Sequence, residues 1–272
     1  MNNFFFHADD YGRSKLISKK IADCIDANII TSISIIVTEK IDGLEYLKNK
    51  SIKKRLHINL TDFSPNIKNT QIAKYSFLNL LFAPLSKNFK KIKNEITREV
   101  IKQIEIYKKT FELKSIDIDS HQHVHMIPWI FNILYDLKDK QEINFIRIPN
   151  EKILCYWSLF TSLRFFFNSL KLLLIKLFII INFKKIQMLN NDIYFNGILF
   201  SSCPNDSIIC KIIERSKKLN LKNEILLHPG FSENIEKDQF ENFFFKFYAS
   251  SLRKKEYLFC LDLKKYMKNN ND

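Results

Sequence analysis

The stretch FFFHADDYG, residues 4–12, runs from four residues of strand character into two adjacent carboxylates and a glycine. Neighbouring residues of an extended chain point to opposite faces, so Asp9 and Asp10 reach one pocket only where a turn redirects one of them. Gly12 permits such a turn. Two carboxylates buried together are costly unless a cation lies between them. The stretch therefore predicts a first strand that ends in a cation site.

Strands alternate with helices along the rest of the chain. Strands are predicted at residues 3–8, 31–37, 56–60, 115–120, 144–149 and 224–230. Helices are predicted at residues 14–28 (with Ser14 as N-cap), 42–50, 88–110, 128–140, 205–219 and 239–268, and a loop at 61–88. This order predicts an α/β protein with a parallel sheet or barrel. Because no repeat or linker divides the chain, residues 1–272 are expected to form a single domain.

Polar side chains follow five of the predicted strands. They are Asp9 with Asp10, His57, His121, Arg147 and His228. In parallel α/β folds the active site forms at the carboxyl ends of the strands. We therefore expect these side chains to meet at one rim of the sheet.

Three histidines follow the fourth of these strands, in the stretch HQHVH at residues 121–125. If the segment stays extended, His121, His123 and His125 share one face. Asp117 and Asp119, which precede them, are placed to orient an imidazole. A surface loop that is rich in histidine by chance is the alternative.

The histidine cluster, combined with Asp10 and His57, offers one carboxylate and two imidazoles with open positions left over. That donor set suits a catalytic divalent ion such as Zn²⁺. One acid of the adjacent pair would then bind the ion, and its neighbour would act as general base on a water beside it.

Composition limits the partners and the compartment. The net charge is +14, which indicates either attraction to anions or a lysine-rich surface without specific function. The lysines are scattered and no nucleic-acid motif occurs, so no nucleic-acid partner is expected. Five cysteines, an odd number without CxxC spacing, favour a reducing cytoplasm. The first residues lack the pattern of a secretory signal.

An apolar segment, residues 153–183, is predicted as a helical insertion and includes RFFFNSLKLLLIKLFIIINF. Lys171 and Lys176 interrupt it, whereas a spanning helix needs roughly 20 mostly apolar residues. A buried or interface helix is the first interpretation. A helix that lies on a membrane or grips a lipid-linked substrate is the second, and a true span the third.

With these motifs in hand, the chain resembles the YdjC-like family of carbohydrate deacetylases. The matching segments are HADDYGRS (7–14), TSISIIV (31–37), LHINL (56–60), DSHQHVHMIP (119–128), RIP (147–149) and LLHPG (226–230). They follow the order of the family and span most of the chain. The resemblance implies a (β/α) barrel-like fold related to the TIM barrel. The chain stops at Asp272, where relatives add a final strand, so the barrel is expected to be incomplete or closed differently there.

The resemblance also implies roles for site residues. The metal ligands would be Asp10, His57 and His121, and the ion a divalent cation, Zn²⁺ or Mg²⁺. Asp9 would be the base that deprotonates the water, and His228 the acid that protonates the leaving amine. The supporting residues, in substrate binding or ligand orientation, would be His123, His125, Arg147 and Asp119.

The implied reaction is hydrolysis of an N-acetyl group from an amino sugar, either in an oligosaccharide or in a lipid-linked glycan. Residues 61–88 and 153–183 differ from the family in composition, so the resemblance does not identify the sugar. The alternatives are a metal-dependent hydrolase of another bond, such as a phosphoester, and a sugar-binding protein without turnover. Peripheral contact with the inner face of a membrane and a homodimer are both left open.

Overall fold

The structure is a computed structural model, and it describes residues 3–37, 41–61, 75–152, 163–189, 191–202, 204–220, 222–232 and 248–264. The predicted helical segments at 153–162, 239–247 and 265–268 lie outside the described residues, as does the part of the predicted loop at 62–74.

Seven parallel strands form one curled half-barrel. They are β1 (Phe4–Tyr11), β2 (Ile30–Ile35), β3 (Lys53–Ile58), β4 (Ile116–Ser120), β5 (Ile143–Ile146), β6 (Tyr194–Asn196) and β7 (Asn223–Leu227). Their spatial order is β5-β4-β3-β2-β1-β7-β6, and every pair is parallel. The predicted α/β barrel-like fold is confirmed.

Helices flank the sheet. They are α1 (Lys15–Asp26), α2 (Leu44–Lys48), α3 (Phe77–Phe82), α4 (Phe89–Phe111), α5 (Pro128–Leu137), α6 (Leu163–Ile181), α7 (Phe183–Gln187), α8 (Asp206–Leu219) and α9 (Ser251–Asp262). Ser14 caps α1 as predicted, because its hydroxyl accepts a hydrogen bond from the Ile17 amide. Among the described residues, no helix has both the length and the hydropathy that crossing a bilayer requires.

The core lies on both sides of the sheet, as expected for parallel strands covered by helices. Ile33, Ile118 and Ile225 of three different strands are fully buried. The long helix α4 buries Ile96 and Ile104, which recur at the spacing that the sequence predicted, and it packs against β3.

The open side of the half-barrel lies between β5 and β6. β1 pairs with β7, as the first and last strands do in a closed barrel, so β5 and β6 are left at the two edges. The barrel is therefore incomplete, as expected, and its opening in the part of the chain that the structure describes lies between the strands that precede and follow α6 in the sequence.

One local prediction was wrong, one strand was missed, and the condition set for the histidine stretch is not met. The predicted loop contains α3, which begins with a reciprocal capping box between Ser76 and Asn79. β6 was not predicted, because Tyr194–Asn196 is too short to show an alternating pattern. The HQHVH stretch is not extended: His121–Met126 forms a 3₁₀ turn with left-handed backbone at Gln122 and His123.

Candidate metal centre and active site

Asp10, His57 and His121 form a buried cluster at the carboxyl ends of β1, β3 and β4. One ligand atom from each lies within 4.8 Å of the others. Asp10 Oδ1 is 3.0 Å from His121 Nδ1 and 3.5 Å from His57 Nε2. The structure thus brings together the three residues that the resemblance implied as metal ligands.

A backbone turn at the end of β1 separates the two adjacent carboxylates. Asp10 adopts a left-handed conformation with φ 72°, which Asp tolerates better than most residues, and Gly12 follows with φ 85°. The turn sends Asp10 toward His121, whereas Asp9 faces Arg147. The pocket predicted from the first stretch therefore forms, with Asp10 itself as the redirected residue.

Asp119 fixes the orientation of His57. Its Oδ1 accepts a hydrogen bond from His57 Nδ1 at 2.6 Å, which leaves Nε2 to face Asp10. Its Oδ2 accepts from Ser34 Oγ at 2.5 Å. Burial would raise the pKa of Asp119, but the Arg147 guanidinium lowers it to about 2. Asp117, which was also expected to orient an imidazole, instead pairs with Lys53 at 3.0 Å.

The three histidines of the HQHVH turn point to different places, because the left-handed residues break the expected common face. His121 reaches Asp10, and the His123 ring lies edge-on to Phe195 with centroids 5.7 Å apart. His125 bonds Ser120 Oγ at 2.6 Å and the Arg147 carbonyl at 2.8 Å, so it fastens the turn to the end of β5. Burial lowers the pKa of His125 to about 4, which keeps it neutral in this role.

The guanidinium of Arg147 binds the carboxylate of Asp9. Its Nη1 is 3.0 Å from both Asp9 oxygens, and its Nη2 lies 2.9 Å from Asp119 and 2.7 Å from Glu224. Burial would raise the pKa of Asp9, but the Arg147 guanidinium outweighs it and holds that pKa well below its usual range. Asp9 is therefore ionised at neutral pH. Arg147 is itself buried among these carboxylates.

Several buried charged and polar residues of this network were missed by sequence reasoning. Arg55 Nη1 donates to Glu224 Oε2 at 2.6 Å, and His7 bonds the hydroxyls of Ser32 and Ser34 at 2.8 Å. Charged residues inside apolar strands, as in KKRLHI and NEILL, were the available signal.

His228 lies at the end of β7 and is held by α9. Its backbone amide donates to Glu256 Oε1 at 2.9 Å, and its Nδ1 is 3.5 Å from the same oxygen. Arg253 donates to the His228 carbonyl at 3.2 Å and is 3.5 Å from Asp10 Oδ2. The sequence predicted a helix in the region of α9 but not its contacts with His228. Arg253 and Glu256 lie far from β7 in the sequence, so no local pattern links them to it.

A cavity of about 500 Å³ opens over the cluster. The predicted site residues that line it are Asp9, Asp10, His57, His121, His123 and His228. The sequence did not predict the other residues that line the cavity. They include Gln122, Arg164, Asn168, Lys171 and Arg253, together with residues in or next to β6 and β7. Arg147, Asp119 and His125 lie behind this lining. Four of the five predicted strand ends thus line the cavity, and the fifth places Arg147 behind Asp9.

The residues present fit a divalent cation. Asp10 Oδ2 is buried and accepts no hydrogen bond from the described residues, and the Arg253 guanidinium lies 3.5 Å away, so a cation bound here would share this oxygen with that charge. Burial opposes protonation of His57, yet the Asp9 and Asp119 carboxylates raise its pKa to about 10, which shows how negative the potential is here. One carboxylate and two imidazoles are ligands that Zn²⁺ and related ions accept.

The fold and the site define a class of barrel-like α/β proteins that carry a carboxylate and imidazole cluster at the carboxyl ends of their strands. Within this class the chain belongs to the YdjC-like protein family, whose model matches residues 3–264. The resemblance drawn from the sequence is thereby confirmed.

The chain is also similar to named relatives, and it shares its fold with a solved structure. The chain is 23% identical over 259 residues to a carbohydrate deacetylase of Xenopus laevis, covering 84% of this chain and 81% of the relative. It is 28% identical over 150 residues to a chitooligosaccharide deacetylase of Escherichia fergusonii, covering 54% and 59%. The fold is similar to that of a cellobiose-phosphate cleavage protein of Enterococcus faecalis, with TM-score 0.56, 14% identity and coverage of 96% and 94%.

Proposed function

We propose that this protein is a metal-dependent hydrolase that removes an N-acetyl group from an amino sugar. The observation that carries the proposal is the convergence of Asp10, His57 and His121 with Asp9 and His228 around one cavity. The names of the Xenopus and Escherichia relatives support a carbohydrate amide as the substrate. Asp10, His57 and His121 would hold Zn²⁺ or Mg²⁺.

Such an ion, when bound, supplies a water of lowered pKa and polarises the amide carbonyl. Asp9 accepts the proton of the attacking water, and Arg147 keeps this carboxylate ionised and fixed in position. His228 donates a proton to the amide nitrogen, because an amine leaves and an amide anion does not. Glu256 holds the backbone of His228, and Asp119 holds the ring of His57.

The structure offers little support for the alternative of a phosphoesterase with two metal ions. A second cluster with metal-ligand spacing exists, formed by His7, Asp9 and Asp119. The Arg147 guanidinium already contacts both carboxylates of that cluster, at 3.0 Å and 2.9 Å. A cation there would have to displace a buried arginine, so we favour a single ion and hydrolysis of an amide.

Acetate release from a panel of N-acetylated sugars tests the proposal. The panel contains free, oligomeric and lipid-phosphate-linked forms, each assayed with added Zn²⁺ or Mg²⁺ and with chelator. We expect acetate from at least one member, lost with chelator and restored by metal. Bound metal without acetate from any member would contradict the proposal and favour another bond or sugar binding alone.

The remaining sequence-based expectations stay predictions. They are one domain over residues 1–272 and a cytoplasmic location, whereas the sequence left the oligomeric state open. Free thiols at Cys24, Cys210 and Cys260 support a reducing compartment.

A further inference from the structure

Helix α6 presents three different faces. Its inner face packs into the core through Phe165, Leu172, Ile175 and Phe178. A polar edge lines the cavity through Arg164, Asn168 and Lys171. The remaining face is apolar yet exposed, and consists of Phe166, Phe167, Leu170, Leu173, Leu177 and Ile180. Exposed apolar surface of this extent is uncommon on monomeric proteins and indicates an interaction site.

A second exposed apolar patch lies beside the same rim. Leu78, Phe82 and Leu85, on α3 and the turn after it, are more than half exposed, at 61%, 57% and 83%. Both α3 and α6 contact the His121–Met126 turn, which carries a candidate metal ligand. Together with the exposed face of α6, this patch forms what we call the rim surface, because its two parts flank the turn at the cavity.

Basic residues accompany both parts of the rim surface. Residues 163–187, which contain α6 and α7, include five basic residues and no acidic residue. The patch on α3 is followed by exposed Lys87, Lys90 and Lys91. Apolar side chains with flanking cations are typical of helices that lie in the interface of an anionic bilayer.

We propose that the rim surface docks the protein on an anionic phospholipid bilayer. α6 is about 28 Å long, so it would lie in the plane of the headgroups with its apolar face directed into the lipid. A second copy of this chain fits less well. A two-fold interface would bring the basic residues of one copy against those of the other, and like charges brought together repel.

Docking on this surface places the cavity mouth at the bilayer. Arg164, Asn168 and Lys171 lie on the edge of α6 that faces the cavity, next to the apolar face. A sugar carried on a membrane lipid could then enter without leaving the interface. This consequence rests on the proposed function, whereas the docking itself does not.

Co-sedimentation with vesicles tests the docking without reference to activity. The full chain is mixed with vesicles of phosphatidylcholine that contain about 30% phosphatidylglycerol, and with phosphatidylcholine alone. We expect binding to the anionic vesicles that weakens at high salt, and at least about tenfold weaker partitioning onto the neutral ones. Wild-type protein that stays in the supernatant with anionic vesicles would overturn the proposal.

Two variants separate the apolar and the electrostatic parts. Leu173→Glu with Leu177→Glu should reduce partitioning more than about tenfold, whereas Leu113→Glu with Leu258→Glu, at exposed leucines elsewhere, should retain it. Lys184→Glu with Lys185→Glu keeps the apolar face and should weaken binding mainly at low salt. Circular dichroism checks that each variant is folded. The wild-type protein could instead be a dimer that does not bind vesicles. If Leu173→Glu with Leu177→Glu then converted this dimer to a monomer, the rim surface would be identified as the contact with a second copy.

Discussion

Two adjacent carboxylates acquire different roles because of where the backbone sends them. Asp10 turns toward His57 and His121, and its Oδ2, which accepts no hydrogen bond from the described residues, lies 3.5 Å from the Arg253 guanidinium. Asp9 is held by Arg147 and keeps a negative charge at neutral pH. A charged carboxylate beside a metal-ligand cluster is the arrangement that a general base requires.

Replacing Asp9 by Asn should separate catalysis from metal binding. The amide oxygen of Asn can still accept from Arg147, but it cannot take a proton, so acetate release should fall by about 10²–10⁴-fold. Metal content, measured by elemental analysis after dialysis, should equal that of the wild type. Asp26→Asn, at an exposed carboxylate that pairs with Lys50, is the control with unchanged turnover. Near-native activity of Asp9→Asn would show that the base is a different residue.

Asp119 should control metal affinity through His57. Its hydrogen bond to Nδ1 keeps Nε2 free as a ligand and makes it more basic. Asp119→Asn removes the charge and should weaken Zn²⁺ binding by about 10–100-fold in a calorimetric titration. Asp117→Asn, on the same strand but paired with Lys53, should bind the ion normally. Equal affinity in the two variants would refute this role.

At the scale of the elements, strand ends determine where the polar groups lie. β1 ends in a turn at Asp10 and Gly12, and β4 ends in the His121–Met126 turn, so each strand presents its ligand at the same rim. The ligand positions do not depend on long side chains reaching from elsewhere. Backbone geometry at these turns is therefore part of the metal centre.

Gly12→Ala should destabilise the end of β1. The φ of 85° is unfavourable for a residue with a Cβ, and that Cβ would lie 2.6 Å from the Ile36 carbonyl oxygen. The Ile36 amide donates a hydrogen bond to the Tyr11 carbonyl, so Ile36 cannot move away from the added Cβ without weakening that bond. We expect the free energy of unfolding in urea to fall by at least about 1–2 kcal/mol. Asn28→Gly, at another residue with positive φ, is the control and should leave the free energy of unfolding unchanged or raise it. Equal decreases in the free energy of unfolding of both variants would contradict the expectation for Gly12.

Local patterns explain how much of the fold and site the sequence could predict. Most strands and helices were identified because their apolar periodicity is local, and the rim followed from the rule for parallel strands. The pairing of Arg55 with Glu224 joins residues 169 positions apart, so no window of sequence contains it. The left-handed conformation of Gln122 was equally hidden, because glutamine carries no local signal for it.

At the scale of the whole molecule, an ion network holds the interior of the half-barrel together. Arg147 after β5 and Arg55 on β3 meet Asp9 of β1, Asp119 of β4 and Glu224 of β7. β5 and β7 are far apart in the order of the sheet, so these contacts cross the interior. The network thus joins β5, at one edge of the sheet, to β1 and β7, which are not its neighbours in the sheet.

This network predicts a loss of stability in acid. The pKa of Asp119 in the folded protein is about 2, below its value in an unfolded chain, because Arg147 outweighs the effect of burial. A lowered pKa in the folded state stabilises the protein above the unfolded pKa, near 4, and this contribution disappears as pH falls toward 2. For Asp119 alone it is about 2 kcal/mol, and the lowered pKa values of Asp9 and Glu224 act in the same direction.

Urea unfolding between pH 7 and pH 2, with chelator present so that metal release does not contribute, measures this dependence. We expect the free energy of unfolding to decrease already between about pH 7 and pH 5, because His125, with a pKa of about 4 when buried, takes up its proton only on unfolding. A further, steeper decrease is expected below about pH 4, where the carboxylates are protonated. Asp119→Asn should be less stable at neutral pH and show a shallower decrease in acid, because the titrating group is gone. Asp117→Asn should keep the steepness of the wild type. An Asp119→Asn curve parallel to that of the wild type would show that this carboxylate does not couple folding to protons.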